Sequence, residues 1–169
     1  MTDKKIQVYE GFLPEDLYKE CNEYSLNAYT SGDHAFKTNY HWHPYMVQDS
    51  APVLIHDMKE GELYEKVRDF VETKFQRKIV KWWMFYYWTR YSFSPWHNDD
   101  NHHGGLTIYL NDHWDPNWGG AFLWHENDEI KGIYPNPNRA VLQTGGAAHT
   151  VTSVTFAGTV RRTIQLFLE

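Results

Sequence analysis

The sequence has a single cysteine, Cys21, which excludes an intramolecular disulfide and any zinc site built on several thiolates. No apolar run approaches the roughly 18 residues that a membrane-spanning helix needs. The opening Met1-Thr2-Asp3-Lys4-Lys5 leads into a short mixed strand rather than the apolar core of a secretion signal. Positive charge is scarce: 16 lysines and arginines face 22 acids, leaving a net charge of −6, so the basic footprint of a nucleic-acid binder is missing. The one basic cluster, Lys74, Arg77, Lys78 and Lys81, falls at the end of an expected helix and reads as a solvated terminus favoured by the helix dipole. Glycine and proline, at 11 and 7 residues, are too few for a low-complexity chain. Together these absences predict a soluble protein of a reducing, cytoplasmic setting, with no membrane or nucleic-acid partner. They leave oligomeric state open. The 169 residues predict one domain over 1–169.

Flat rings are what the chain has in excess. Aromatic residues make up 17% of it, with eight Trp and twelve Tyr. After an expected strand at Ile6 to Tyr9, Pro14, Glu15 and Asp16 open a helix whose buried stripe is predicted as Leu17, Cys21, Tyr24 and Ala28. Leu63, Val67, Phe70, Val71 and Phe75 recur at the period of a second helix. From Ile79 onward the pattern turns to strands: Ile79 to Trp88, Leu106 to Leu110, Ala121 to Trp124, Ala140 to Gln143, His149 to Val154 and Thr163 to Leu168. Asn, Asp, Gly and Pro clusters separate them. Helices followed by many short strands predict an α+β chain with a double-sheet jelly-roll core, the N-terminal helices lying on one sheet.

Within this pattern, His97-Asn98-Asp99 places an imidazole and a carboxylate two positions apart, on one side of an extended chain. His149, after Gly145-Gly146, can supply a second imidazole from an adjacent strand. Two histidines and one carboxylate occupy one face of an octahedral ion and leave positions open, the arrangement that suits a non-haem Fe(II) centre binding a co-substrate and oxygen together. A cation shortly after the distal histidine, from Arg161-Arg162, would hold an anionic co-substrate. Asp100 competes with Asp99, and the spacing from His97 favours Asp99. His102 and His103 fall in a polar loop. His41-x-His43 forms another pair, suited to a pocket mouth or a second metal.

The residues in this order resemble the Fe(II)- and 2-oxoglutarate-dependent oxygenases, in their prolyl-4-hydroxylase-like branch. The likeness is carried by His97-Asn98-Asp99, Leu106 to Asn111, Trp114-Asp115-Pro116-Asn117-Trp118-Gly119-Gly120, His149-Thr150-Val151 and Arg161-Arg162-Thr163, with Tyr9 to Glu15 similar to the family's opening. It implies a double-stranded β-helix with Fe(II) held by His97, Asp99 and His149. It also implies 2-oxoglutarate bound by its far carboxylate to Arg161, with Thr163, Tyr109 and Tyr87 as further co-substrate contacts. O2 and, as a reductant, ascorbate complete the implied cofactors. The chain departs from the family pattern in a longer interval from His149 to Arg161, through Phe156-Ala157-Gly158, and in Thr89 to Ser94 replacing a glycine-containing turn. Arg161 and Arg162 both remain open as the carboxylate ligand, the R-x-T spacing favouring Arg161. A carboxylate at position 99, where halogenating relatives carry a small residue, implies hydroxylation.

The substrate implied at family level is a prolyl or other amino-acid side chain, in a peptide or free, or another small molecule. Trp82, Trp83, Tyr86, Trp88, Tyr91 and Trp96 could contact it or fill the core. Two rival readings stand beside this one. The first is a non-catalytic jelly-roll module binding a sugar or small acid. The second is a cupin-type metalloenzyme that does not use 2-oxoglutarate.

Overall fold

The computed structural model describes residues 5–33, 50–58, 60–99, 104–144, 146–155 and 159–169, with only the backbone described for 81–84. His34, His41, His43, Asp100, His102, His103, Gly145 and Phe156-Ala157-Gly158 lie outside the described residues, as do the side chains of Lys81, Trp82 and Trp83. Among the described residues no helix is long and apolar enough to cross a membrane.

In chain order the elements are β1 (Ile6–Tyr9), α1 (Glu15–Ser31), β2 (Val53–Asp57), α2 (Glu62–Phe75), β3 (Ile79–Trp88), β4 (Ser94–His97), β5 (Gly104–Tyr109), β6 (Phe122–Glu126), β7 (Glu129–Ile133), β8 (Ala140–Thr144), β9 (His149–Val151) and β10 (Arg161–Leu168). Among the described residues a 3-10 turn spans Pro116–Trp118. The strands form two antiparallel sheets. The larger has the order β1-β8-β5-β10-β3-β2 and the smaller β4-β9-β6-β7. This is the double-stranded β-helix architecture, with the helices on the outer face of the larger sheet.

Local chemistry accounts for the helices. Glu15 and Asp16 sit in the first turn of α1, where they meet the positive end of the dipole. Gly32 ends the helix at φ 82°, a left-handed cap that glycine adopts without steric cost. In α2, Glu62 and Glu65 stand near the start and Lys74 in the last turn. The buried side of α1 is Tyr18, Cys21, Asn22, Ser25 and Ala28, rotated from the predicted stripe: Leu17 is only partly buried and Tyr24 is 37% exposed. The rotation has a polar cause: the Asn22 side chain donates to Asp112 beyond β5, and Ser25 Oγ accepts from Arg162 of β10.

Strand alternation divides the apolar residues into two cores. Phe85, Tyr87, Leu106, Ile108, Leu142, Ile164, Leu166 and Leu168 face α1 and α2. Val53, Ile55, Tyr86, Trp88, Tyr109, Val141, Phe122, Trp124, Val151 and Val154 face each other between the sheets. β10 lies at the centre of the larger sheet, its Arg161 opposite Trp88 on β3 and its Thr163 opposite both Tyr86 on β3 and Tyr109 on β5. Register partners share a face, so Arg161, Thr163, Trp88, Tyr86 and Tyr109 all point into the space between the sheets.

Candidate metal centre and anion pocket

β4 and β9 pair so that His97 and His149 are direct cross-strand partners, after a register shift between Ser94 and His97. Ser94 fastens the pair: its carbonyl accepts from Thr150 Oγ1 at 2.6 Å and its Oγ from the Val151 amide at 3.1 Å. The two imidazole centroids are 4.2 Å apart. In each ring Nδ1 bonds the carbonyl two residues back, that of Pro95 at 2.7 Å for His97 and that of Ala147 at 2.8 Å for His149. A carbonyl only accepts, so Nδ1 carries the proton and the Nε2 lone pair of both rings is left for a ligand bond.

Asp99 completes the set. Its Oδ1 lies 3.9 Å from His97 Nε2 and its Oδ2 3.7 Å from His149 Nε2, and one ligand atom from each residue lies within 4.8 Å of the others. Donors at right angles around a first-row ion, each about 2.1 Å away, are roughly 3 Å apart, so closing this set on an ion needs movements below about 1 Å. Burial, followed by the neighbouring His97, lowers the His149 pKa from the ordinary histidine value, which favours the neutral ring that can ligate. Phe122 stacks on His149 at 5.3 Å and covers its apolar face.

The anion pocket lies on the facing sheet. Arg161 is 1% exposed, and its Nε and Nη1 have no hydrogen-bond partner among the described residues. Its guanidinium sits 4.9 Å from a Trp88 ring centroid and 5.0 Å from that of Tyr109. Thr163 Oγ1 and Tyr109 OH are likewise buried without a hydrogen bond of good geometry. Burial lowers the Arg161 pKa, an effect the adjacent Tyr109 partly offsets. A buried guanidinium with two nitrogens unpartnered among the described residues is costly, and two such nitrogens and two hydroxyls on one sheet face suit a carboxylate, which accepts from a planar fork and from hydroxyls at once. Asn111 fixes this stretch from both sides: its Nδ2 donates to the Val160 carbonyl at 2.8 Å and its Oδ1 accepts from the Arg162 amide at 2.7 Å, the two peptide groups that flank Arg161.

The two arginines separate cleanly. Arg162 points the other way, into the helix layer, where Nη1 donates to the Asn22 carbonyl and to Ser25 Oγ, both at 2.8 Å. Tyr87 is a correction to the expected co-substrate contacts. It pairs with Arg162 rather than Arg161, lies in the helix-facing core, and donates its hydroxyl to the Ser25 carbonyl at 2.9 Å. Its neighbours Tyr86 and Trp88 occupy the face it was expected to share. Trp96 also departs from expectation, standing 41% exposed on the outer face of the smaller sheet, its ring tilted 37° against that of His125 at 4.4 Å.

Three residues near the site went unflagged by the sequence. Asn111 reads as an ordinary turn residue. Gln143, at the end of an apolar run, sends its side-chain amide to Asp99; a polar residue on the same strand face as Val141 was the available sign. Trp124 lies opposite His149 in register, its indole N–H buried and without a partner among the described residues.

Comparison with known proteins places this geometry. No curated protein sequence matches the chain significantly. Among solved structures, the chain is similar to a prolyl hydroxylase from Trichoplax adhaerens in complex with a hypoxia-inducible-factor oxygen degradation domain peptide fragment, with TM-score 0.82 and 17% identity over 98% of this chain and 84% of that one. It is similar to a prolyl-4-hydroxylase of Pseudomonas putida, with TM-score 0.77 and 15% identity over 99% and 93% of the two chains. A viral collagen prolyl hydroxylase from Paramecium bursaria Chlorella virus-1 matches with TM-score 0.64 and 13% identity over 98% and 96%. These likenesses establish the fold. A sequence model of the 2OG-Fe(II) oxygenase superfamily matches residues 69–169. That stretch is more than half of the chain and takes in both the metal donors and the anion pocket, so the chain belongs to the 2OG-Fe(II) oxygenase superfamily, whose dioxygenases work with Fe(II), 2-oxoglutarate and O2.

Proposed function

We propose that this single-domain chain hydroxylates a C–H bond of a prolyl or other amino-acid side chain, in a peptide or free, in the cytoplasm, where Cys21 stays reduced. The observation that carries the reading is that two imidazoles and a carboxylate come within 4.8 Å of one another, while the facing sheet carries a buried arginine with two nitrogens unpartnered among the described residues. In this reading His97 Nε2, Asp99 and His149 Nε2 hold Fe(II). Arg161, Thr163 and Tyr109 hold the far carboxylate of 2-oxoglutarate. When bound, the iron couples oxidative decarboxylation of 2-oxoglutarate to succinate and CO2 with oxygen insertion into the substrate C–H bond.

The residues of the chain prepare the site for that chemistry. The Pro95 and Ala147 carbonyls fix the histidine tautomers. Phe122, Tyr86 and Trp88 line the space with apolar surface that excludes water. Asp99, by occupying a third position, leaves no place for a halide and favours hydroxylation. Structural similarity to prolyl hydroxylases, one of them bound to a peptide, supports a prolyl substrate. The test is succinate release with Fe(II) across prolyl peptides, free amino acids and nucleosides, with product mass checked for one added oxygen. A prolyl peptide that gains oxygen, with His97→Ala inactive, supports the reading. Turnover confined to nucleosides, or unaffected by His97→Ala, contradicts it.

A further inference from the structure

We infer that Gln143 is a positioning residue that fixes the Asp99 carboxylate for a single metal–oxygen bond, an inference that rests on the metal reading above. Gln143 lies on β8 opposite Gly105 of β5 and Ile6 of β1, on the inner face with Val141. From there its Nε2 donates to Asp99 Oδ2. The bond crosses from the larger sheet to the segment that follows β4 in the smaller one, so the two halves of the fold meet at the carboxylate. An amide nitrogen can only donate, so it stabilises the ionised acid and takes up one of its oxygens. Oδ2, which accepts this bond, lies 3.7 Å from His149 Nε2, and Oδ1, the oxygen without the amide, lies 3.9 Å from His97 Nε2, so the amide makes the two oxygens unequal and leaves Oδ1 the freer donor. Two-oxygen binding by Asp99 would occupy a position that a chelating co-substrate or O2 requires.

Gly105 supplies the room. A Cβ at this position would lie 2.7 Å from Gln143 Nε2 and 3.0 Å from its Cγ. The Gly105 backbone lies outside the left-handed region, so the glycine answers to the amide packed against it rather than to its own φ. Partners of a metal ligand orient it and set its basicity, and their loss typically weakens metal binding by about 10- to 100-fold.

The experiment is Mn(II) titration of the metal-free full chain by calorimetry, beside thermal unfolding of the same metal-free samples. Gln143→Leu removes the donor, and Gln143→Glu sets a second acid against Asp99. Both are expected to weaken Mn(II) binding by roughly 10- to 100-fold, with metal-free melting within a few degrees of wild type. Gly105→Ala, which crowds the amide without removing it, is expected to weaken binding severalfold. Gln143→Leu binding Mn(II) within twofold of wild type overturns the inference and leaves the metal reading intact. A wild-type chain that binds no Mn(II), or binds it equally after His97→Ala, overturns both.

Discussion

Arg161→Met separates what the guanidinium does for binding from what it costs the fold, because the two effects have opposite signs. In the protein without co-substrate, Arg161 is a buried charge with two donor atoms unpartnered among the described residues. Exchanging buried ionic groups for apolar ones of similar volume stabilises proteins by about 1–4 kcal/mol. Among the described residues no carboxylate partner offsets the desolvation, but two aromatic rings within 5.0 Å return part of it, each by up to about 2 kcal/mol. A net gain of about 2 kcal/mol is expected. In a domain of this length each kcal/mol moves the melting temperature by about 2–4 °C, so the variant without ligand should melt about 4–8 °C higher. Binding moves the other way. Losing the charged partner of a desolvated carboxylate costs roughly 3–5 kcal/mol, which raises the Kd for 2-oxoglutarate by between about 10²- and 10³·⁵-fold. Scanning calorimetry of the free protein and titration of 2-oxoglutarate into the Mn(II)-loaded protein read the two quantities. A variant that melts lower than wild type and binds 2-oxoglutarate within tenfold of it would show that Arg161 is a structural residue.

Arg162→Met should do the reverse, because Arg162 donates to Asn22 and Ser25 at 2.8 Å: stability falls by about 3 kcal/mol, while 2-oxoglutarate affinity stays within threefold, measured by the same two assays. Gly120 has φ 65°, and a Cβ there would lie 3.0 Å from Arg161 Cδ and 3.2 Å from Trp114, so Gly120→Ala should lower stability by about 1–2 kcal/mol and displace Arg161 enough to weaken 2-oxoglutarate binding by about tenfold. Cys21 is 0% exposed, and burial, then Glu20, pushes its thiol up to about 12. It should therefore stay protonated and inert to a disulfide reagent at pH 8 in the folded protein and react at once in denaturant, whereas stoichiometric reaction of the native protein would contradict its placement.

The donor set was legible because it is local in two of its three parts. His97 and Asp99 share a side by strand alternation alone, and the same rule links Arg161 to Thr163. Tyr87 was misplaced because alternation has no phase when both faces of β3 are aromatic. Only the pairing of Trp88 with Arg161 and Tyr87 with Arg162 says which ring looks inward, and register is a property of two strands. The stripe of α1 was rotated for a related reason: Asn22 and Ser25 look like surface residues until Arg162 and Tyr87, far along the chain, meet them. Asn111 and Gln143 escaped notice because their partners, Arg162 and Asp99, lie distant in sequence, and a lone amide carries no pattern of its own.

A crystal structure of the chain with Mn(II) and 2-oxoglutarate, grown without oxygen, tests the central claim most directly. The expected result is one ion bound by His97 Nε2, His149 Nε2 and a single oxygen of Asp99, chelated by the ketoacid end of 2-oxoglutarate, whose far carboxylate meets Arg161, Thr163 and Tyr109. An ion bound elsewhere, or a 2-oxoglutarate carboxylate held away from Arg161, would contradict it.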